Sequence, residues 1–201
     1  MKTKIFTAVA VLLLGAPALL GKDSRSRGPV GLEPPPKEMR LRDGGFKVGP
    51  ATRIFVTFGH QSEDRIAAET LAEQVLDRSG FQLNILGKKS TGKAKEGAII
   101  LARLEDEKVR RFLAKKGLSA DQAVGEDGYL LFSDKTHVIV AANTGQGLFY
   151  GVQRLRQLLR PAGKALMCPA VGIRDWPGPL ESGAKEQAAS RKPDQIVVKW
   201  P

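Results

Sequence analysis

Between His137 and Arg160 the chain reads HVIVAANTGQGLFYGVQRLRQLLR: an apolar β-branched run, a glycine-rich turn and an amphipathic stretch. A strand joined to a helix by so short a turn commits this part of the chain to a layered arrangement, because the helix stripe must be buried against a sheet. Glycines at 145, 147 and 151 form the pattern G-x-G-x-x-x-G. Two readings compete for them. Dinucleotide-binding proteins hold a pyrophosphate at such a turn, on the first strand of a long βαβ series with an acidic residue about 20 positions on. Here the turn follows the penultimate expected strand, the nearest acidic residue downstream is Asp175, and no further βαβ unit follows. The packing reading needs only that Gly145 and Gly147 permit a tight turn and that Gly151 lets the helix approach the sheet. The sequence favours packing, with anion binding at the helix amino end as the alternative.

The rest of the chain supplies partners for that unit. KEMRLR and GGFKV flank the Gly44-Gly45 turn as two short strands, and TRIFVTF is a third. Ser62 is placed to cap a helix with Glu63 and Asp64 at its positive end, Ala68, Leu71, Ala72, Val75, Leu76 and Ser79 recur at helical spacing, and Gly80 stops it. FQLNIL and GAIILA read as strands, LEDEKVRRFLAKKG as a peripheral helix burying Val109, Phe112 and Leu113, and DGYLLFSDKTHVIVAA as a hairpin turning at Asp134 and Lys135. Leu148, Val152, Leu155 and Leu159 then line one helical stripe, and ALMCPAVGI is a last strand. The sum predicts an α+β domain: a mixed sheet of about seven strands packed with two to three helices, by the pattern rules for such alternations.

The amino end, MKTKIFTAVAVLLLGAPALLG, has the order of a secretory signal: Lys2 and Lys4, an apolar stretch from Ile5 to Leu14, then small residues and Pro17. It is too short to span a bilayer, and the alternative is a buried amino-terminal helix. Cleavage is placed near Gly21, although Leu19 and Leu20 depart from an A-x-A site. Residues 1–21 are thus read as a signal, 22–36 as a polar, proline-rich linker, 37–177 as the domain and 178–201 as a loose tail. The localisation implied is secreted or periplasmic. Export meets an oxidising compartment, yet Cys168 is the single cysteine, so no internal disulfide forms.

Several chemistries find no support. The two histidines, His60 and His137, stand outside any metal-ligand spacing. The formal charge of +11 admits anionic partners, but the basic residues lie on loops and helix faces without interleaved aromatics, so no nucleic-acid partner is expected. GKKSTGKA has the G-x-x-x-x-G-K spacing of a phosphate loop, but Ala94 replaces the magnesium-holding hydroxyl and a strand follows instead of a helix. The acidic groups Glu63-Asp64, Glu105-Asp106-Glu107 and Glu126-Asp127 sit at helix starts or in polar turns, where solvation or the helix dipole accounts for them. No catalytic, cofactor-binding or metal-ligating residue is assigned.

Read together, PPPKEMRLRDGGFKV, EGAIIL, GEDGYLLF with HVIVAANTGQGLFYGVQRLRQLL, and CPAVGIRDWP resemble the amino-terminal domain of bacterial β-N-acetylhexosaminidases of glycoside hydrolase family 20. The likeness runs from Pro34 to Pro177 and is most specific at Asp127-Gly128-Tyr129, Ala142-Asn143, Gly147, Phe149-Tyr150-Gly151, Gln153 to Leu155 and Gln157 to Leu159. It implies a zincin-like α+β unit without zinc or other cofactor. It also implies that Gly145, Gly147, Phe149, Tyr150, Gly151, Leu155 and Tyr129 serve the turn and the docking of its helix on the sheet. Arg154 stands where the family usually has Thr, a change expected to matter little on a polar helix face. The implied partner is a catalytic (β/α)8 barrel, in which a Glu is general acid and an Asp supports attack by the substrate's own acetamido oxygen. In the family an arginine-rich lead into that barrel follows the I-x-D-x-P segment. Here GPLESGAKEQAAS stands in its place and no H-x-G-G-D-E segment occurs. The expectation is an accessory domain truncated or frame-shifted before its barrel, inactive alone, outside the membrane once cleaved, and prone to self-association through an exposed apolar face. A stand-alone basic module binding carbohydrate or anionic polymers is the alternative.

Overall fold

The computed structural model describes residues 31–57, 62–87 and 97–178. The expected signal, most of the linker and the tail, His60, and the lysine-rich stretch 88–96 lie outside the described residues. The described chain forms β1 (Glu38–Val48), β2 (Arg53–Val56), α1 (Ser62–Ser79), β3 (Asn84–Leu86), β4 (Ala98–Arg103), α2 (Glu107–Lys115), β5 (Tyr129–Ser133), β6 (His137–Ala142), α3 (Gly145–Leu158), β7 (Arg160–Ala162) and β8 (Ala165–Asp175). All eight strands join one mixed sheet of order β1-β8-β5-β6-β4-β2-β3, with β7 paired to the first part of β8. The half containing β1, β8, β5 and β6 is antiparallel, and the half containing β6, β4, β2 and β3 is parallel. The α+β class with a mixed sheet is thus the observed one.

Alternation along the central strands divides the apolar residues between two cores. Leu131, Val138, Val140, Ile99 and Leu101 face α1 and α3, whereas Leu130, Phe132, Ile139 and Ala141 face α2. On the first face α1 buries Ala67, Ala68, Leu71, Ala72 and Val75, and α3 buries Leu148, Val152, Leu155 and Leu158. Small residues on α1 let the two helices lie side by side. Arg78 at the end of α1 donates from Nη1 to the carbonyls of Arg156 and Leu159, satisfying the open carboxyl end of α3. On the second face α2 is capped at both ends. Asp106 Oδ1 accepts from Lys108 N at 3.0 Å, while Gly117 N donates to Ala114 O and Leu118 N to Leu113 O, a Schellman stop that also buries Leu118. The Phe112 and Phe132 rings meet edge to face at 5.8 Å.

In the elements of the fold the structure departs from the sequence reading at β1, at β7, at Leu76 and at Leu32. KEMRLR and GGFKV are one strand, β1, paired with β8 on both sides of an irregularity between Leu41 and Gly45. Residues 42–44 stand there opposite Ala170 alone, and both strands change face across the irregularity, so that Met39 and Val171 on one side of it and Phe46 and Cys168 on the other all reach the same core. β7 adds an eighth strand that Pro161 disguised, as proline does where a strand needs few donors. Leu76, expected in the α1 stripe, is 41% exposed because Leu71, Ala72 and Val75 already fill the contact with the sheet. Leu32 is buried and joins the main core, so the proline-rich lead-in packs with the domain.

Cys168 lies on the core side of β8 with no solvent exposure. Burial pushes its thiol up to about 11. Since the thiolate is the reacting species, modification by a disulfide reagent at pH 8 should be about 200-fold or more slower in the native chain than in denaturant. Equal rates in the two states would contradict the placement of this side chain.

Candidate functional site

A cleft of about 470 Å³ lies where the domain's chain enters and leaves, lined by Pro34, Pro35, Tyr150, Trp176 and Pro177 above a polar floor. The floor is built by α3, β5 and the end of β8. Tyr129 begins β5, directly opposite Asp175 at the end of β8, so pairing register alone brings the two together. The Tyr129 hydroxyl donates to Asp175 Oδ2 at 2.7 Å and accepts from Arg154 Nε at 2.9 Å, and Arg154 Nη2 donates to the same carboxylate oxygen at 2.9 Å. The other Asp175 oxygen accepts from the backbone amides of Lys37 and Trp176. Arg154 Nη1 reaches the carbonyl of Pro34 at 2.7 Å, and Gln157 Nε2 that of Glu33 at 3.0 Å. One ion pair thereby ties the entering segment to the leaving one.

Burial explains why this network holds together. Burial, reinforced by the neighbouring carboxylate, raises the Tyr129 phenol well above its usual range against the opposing effect of Arg154, so Tyr129 stays a donor. Burial disfavours the Arg154 charge, but the contacts with Tyr129 and Asp175 more than offset it and hold the guanidinium protonated. This corrects the expectation for Arg154. The helix turns by about 100° per residue, which carries position 154 onto the same face as Gly151 and Leu158. Its side chain is 6% exposed and forms the hub of the cleft floor.

The glycine turn serves the same seat. Thr144 caps α3, its Oγ1 accepting from Gly147 N at 3.1 Å, and Gly145 is already the first helical residue. None of Gly145, Gly147 and Gly151 has a positive φ; what each supplies is room. A Cβ on Gly147 would stand 2.7 Å from the carbonyl oxygen of Gly128, and one on Gly151 would collide with Val140 Cγ1 and approach the Tyr129 ring to 3.2 Å. A Cβ on Gly145 would fall within the Glu63 side chain, so a carboxylate already occupies the helix amino end that a phosphate would seek. Leu155 is fully buried and Phe149 half-buried against the core. Tyr150 lies on the outer face of α3, 40% exposed at the cleft rim, so its ring does not dock the helix on the sheet.

A second buried pair supports the amino end of α3. Arg103, closing β4, holds Asp64 through Nη2–Oδ1 at 2.6 Å and Nε–Oδ2 at 3.1 Å, and its Nη1 donates to Asn143 O at 2.8 Å. Asp64 is 1% exposed, so a specific partner rather than solvent accounts for it, contrary to the sequence reading. The sequence did carry a signal for the floor residues. Arg154 sits three residues after Gly151, and Asp175 is the acid of the I-x-D-x-P segment. Their convergence on Tyr129 requires the register of β5 against β8. Among the described residues no group of three or more His, Cys, Asp or Glu is arranged to hold a metal ion.

Two substitutions probe this geometry. Gly151→Ala should destabilise the fold by about 1–3 kcal/mol through overpacking, read from the midpoint of urea unfolding at unchanged slope. Arg154→Leu, which strands the Asp175 carboxylate, should cost about 3–5 kcal/mol, against about 1 kcal/mol for Tyr129→Phe. Equal losses for the two would place the energy in the phenol rather than the ion pair.

Comparison with known proteins places this architecture. The β-N-acetylhexosaminidase of Streptomyces coelicolor A3(2) superposes with a TM-score of 0.51 at 25% identity, over 71% of this chain and 25% of that one. The exo-β-N-acetylglucosaminidase of Vibrio harveyi gives 0.53 at 18% identity, over 73% of this chain and 19% of that one. The N-acetyl-β-hexosaminidase of Streptomyces plicatus gives 0.50 at 22%, over 71% and 25%. The chain thus spans about a quarter or less of these proteins. The family model described as glycosyl hydrolase family 20, domain 2, matches residues 30–176, and the chain belongs to that family.

Proposed function

We propose that this chain is a non-catalytic accessory domain of a secreted β-N-acetylhexosaminidase, an enzyme that removes terminal N-acetylhexosamine residues, and that its work is to pack against and stabilise a catalytic (β/α)8 barrel. The observation that carries the reading is the family match over residues 30–176 on a domain whose buried carboxylates are committed to structure. Asp64 is held by Arg103 and Asp175 by Arg154 and Tyr129, which leaves neither as a general acid facing a substrate. The glycines of the α3 turn belong to the same reading, as a packing device with Phe149, Leu155 and Tyr129. The basic, then apolar start of the sequence supports export to the periplasm or beyond.

The reading predicts that the purified chain does not release p-nitrophenol from p-nitrophenyl N-acetyl-β-glucosaminide. Turnover that follows the chain through two unrelated chromatographic steps would overturn it.

A further inference from the structure

We infer that the groove where β1 breaks its register against β8 binds an acidic sugar unit of a glycan chain, a pyranose carrying a carboxylate. The choice of a sugar rests on the reading above, of a domain belonging to a glycan hydrolase; the site itself rests on the groove. Phe46 and Cys168 point into the core shared with α1 and α3, so Gly45, Met167 and Pro169 beside them turn to the other side of the sheet. With Leu41 they wall a groove of about 500 Å³, within the roughly 300–1,000 Å³ of small-molecule clefts. β1 and β7 flank this part of β8, so Arg42 and Arg160 enter the groove from strands on either side of it. No acidic side chain lines it.

The irregularity in β1 fixes the charges. Residues 42–44 stand opposite one residue of β8, and Arg42 lies over the Phe132 ring at 5.5 Å, where its Nη2 donates to the carbonyl of Lys116. A ring and a neutral acceptor thus hold this guanidinium, with no carboxylate bonded to it among the described residues. Lys135 lies across Gly44: a Cβ there would stand 2.8 Å from Lys135 Cε, so the lysine chain occupies the place of a side chain. The Lys116 ammonium shares the Phe132 ring at 5.3 Å, and Lys47 stands opposite Met167. Two acids are nearby. Asp134 is engaged by Lys116 and by the amides of Thr136 and His137, and Asp43 is exposed within the irregularity.

Crowded cations repel one another, and an oxyanion placed among them relieves that cost. A guanidinium takes a carboxylate through two parallel N–H bonds, while Leu41, Met167 and Pro169 offer apolar surface to the C–H face of a sugar ring. Nucleic acid fits less well, because cations already cover Phe112 and Phe132 and leave no ring for a base to stack on. Two other clefts lack the excess of positive charge. The one at the chain's entry and exit sets Asp127 and Asp175 beside Lys37 and Arg154, and the groove between α1 and β3 carries Glu69 and Glu73.

Titrated calorimetrically into the full chain, trigalacturonic acid should bind saturably, and chitotriose, a neutral chain of the same length, should not. Arg160→Glu and Lys135→Glu should each weaken binding at least tenfold, with circular dichroism showing the fold retained; if one variant unfolds, the other decides. Arg110→Glu, the same charge change at an exposed position of α2, should weaken it less than twofold. Equal losses at the three positions would mean a diffuse basic surface and overturn the site, as would chitotriose binding equally well or no saturable binding of the acid. Triglutamate binding as tightly as the trisaccharide, with the same dependence on Arg160, would assign the groove to an acidic polypeptide and overturn the sugar. None of these results touches the accessory-domain reading, which p-nitrophenol release tests separately.

Discussion

How closely α3 lies on β5 and β6 governs most of what this domain does. At Gly147 and Gly151 the helix backbone comes against the carbonyl of Gly128, the Val140 side chain and the ring of Tyr129, closer than any residue with a Cβ allows. That approach sets the height at which Arg154 emerges one turn later, and at that height its Nε meets the Tyr129 hydroxyl at 2.9 Å. A helix lifted by the width of a methyl group would separate the guanidinium from the phenol and from Asp175, and the charge would be left buried without its partners. Close packing of an apolar core and the geometry of a polar clamp are here one constraint, not two.

Electrostatics enters at two buried ion pairs, placed at opposite ends of α3. Arg103 with Asp64 fastens the amino end, tying the first turn of α1 to the end of β4 and the carbonyl of Asn143. Arg154 with Asp175 fastens the face toward the carboxyl end, tying α3 to the last strand and to the entering segment. Isolated buried pairs contribute little net stability because desolvation cancels much of the attraction; their value lies in the penalty for any arrangement that separates them. Both pairs cross between elements distant in sequence, so they select one docking of α3 among those its apolar stripe alone would allow. Surface pairs such as Arg65–Glu69 and Arg111–Glu107 are solvated i, i+4 contacts and select nothing beyond their own helices.

The domain joins a parallel half-sheet, whose strands end at the amino ends of α1 and α3, to an antiparallel half. In parallel sheets ligands gather at those strand ends. Here Glu63 lies against Gly145 and Asp64 takes Arg103, so the crevice is filled by the protein's own charges. The cleft lined by Pro34, Pro35, Tyr150, Trp176 and Pro177 lies instead on the antiparallel side, where β1 and β8 bring the two ends of the domain together.

The order of elements was legible in the sequence wherever a local period spoke. The stripe Leu148, Val152, Leu155, Leu159 announces α3, the hairpin turn at Asp134 holds its amides as its composition suggests, and Gly80 and Gly117 stop their helices at positive φ. The family likeness, too, rests on residues readable in order along the chain. Periodicity failed where partners rather than neighbours decide: the irregularity that merges two apparent strands into β1 depends on β8, and the exposure of Leu76 depends on what the sheet has room for. The clamp lies furthest beyond local reading. Tyr129, Arg154 and Asp175 are spread over 46 positions, and nothing in their local sequence pairs them with one another. Local sequence settled which segments are helix or strand, because those choices turn on contacts a few residues apart. Tertiary structure alone settled which charged groups are buried together, because that depends on strand register and on the close seat of one helix.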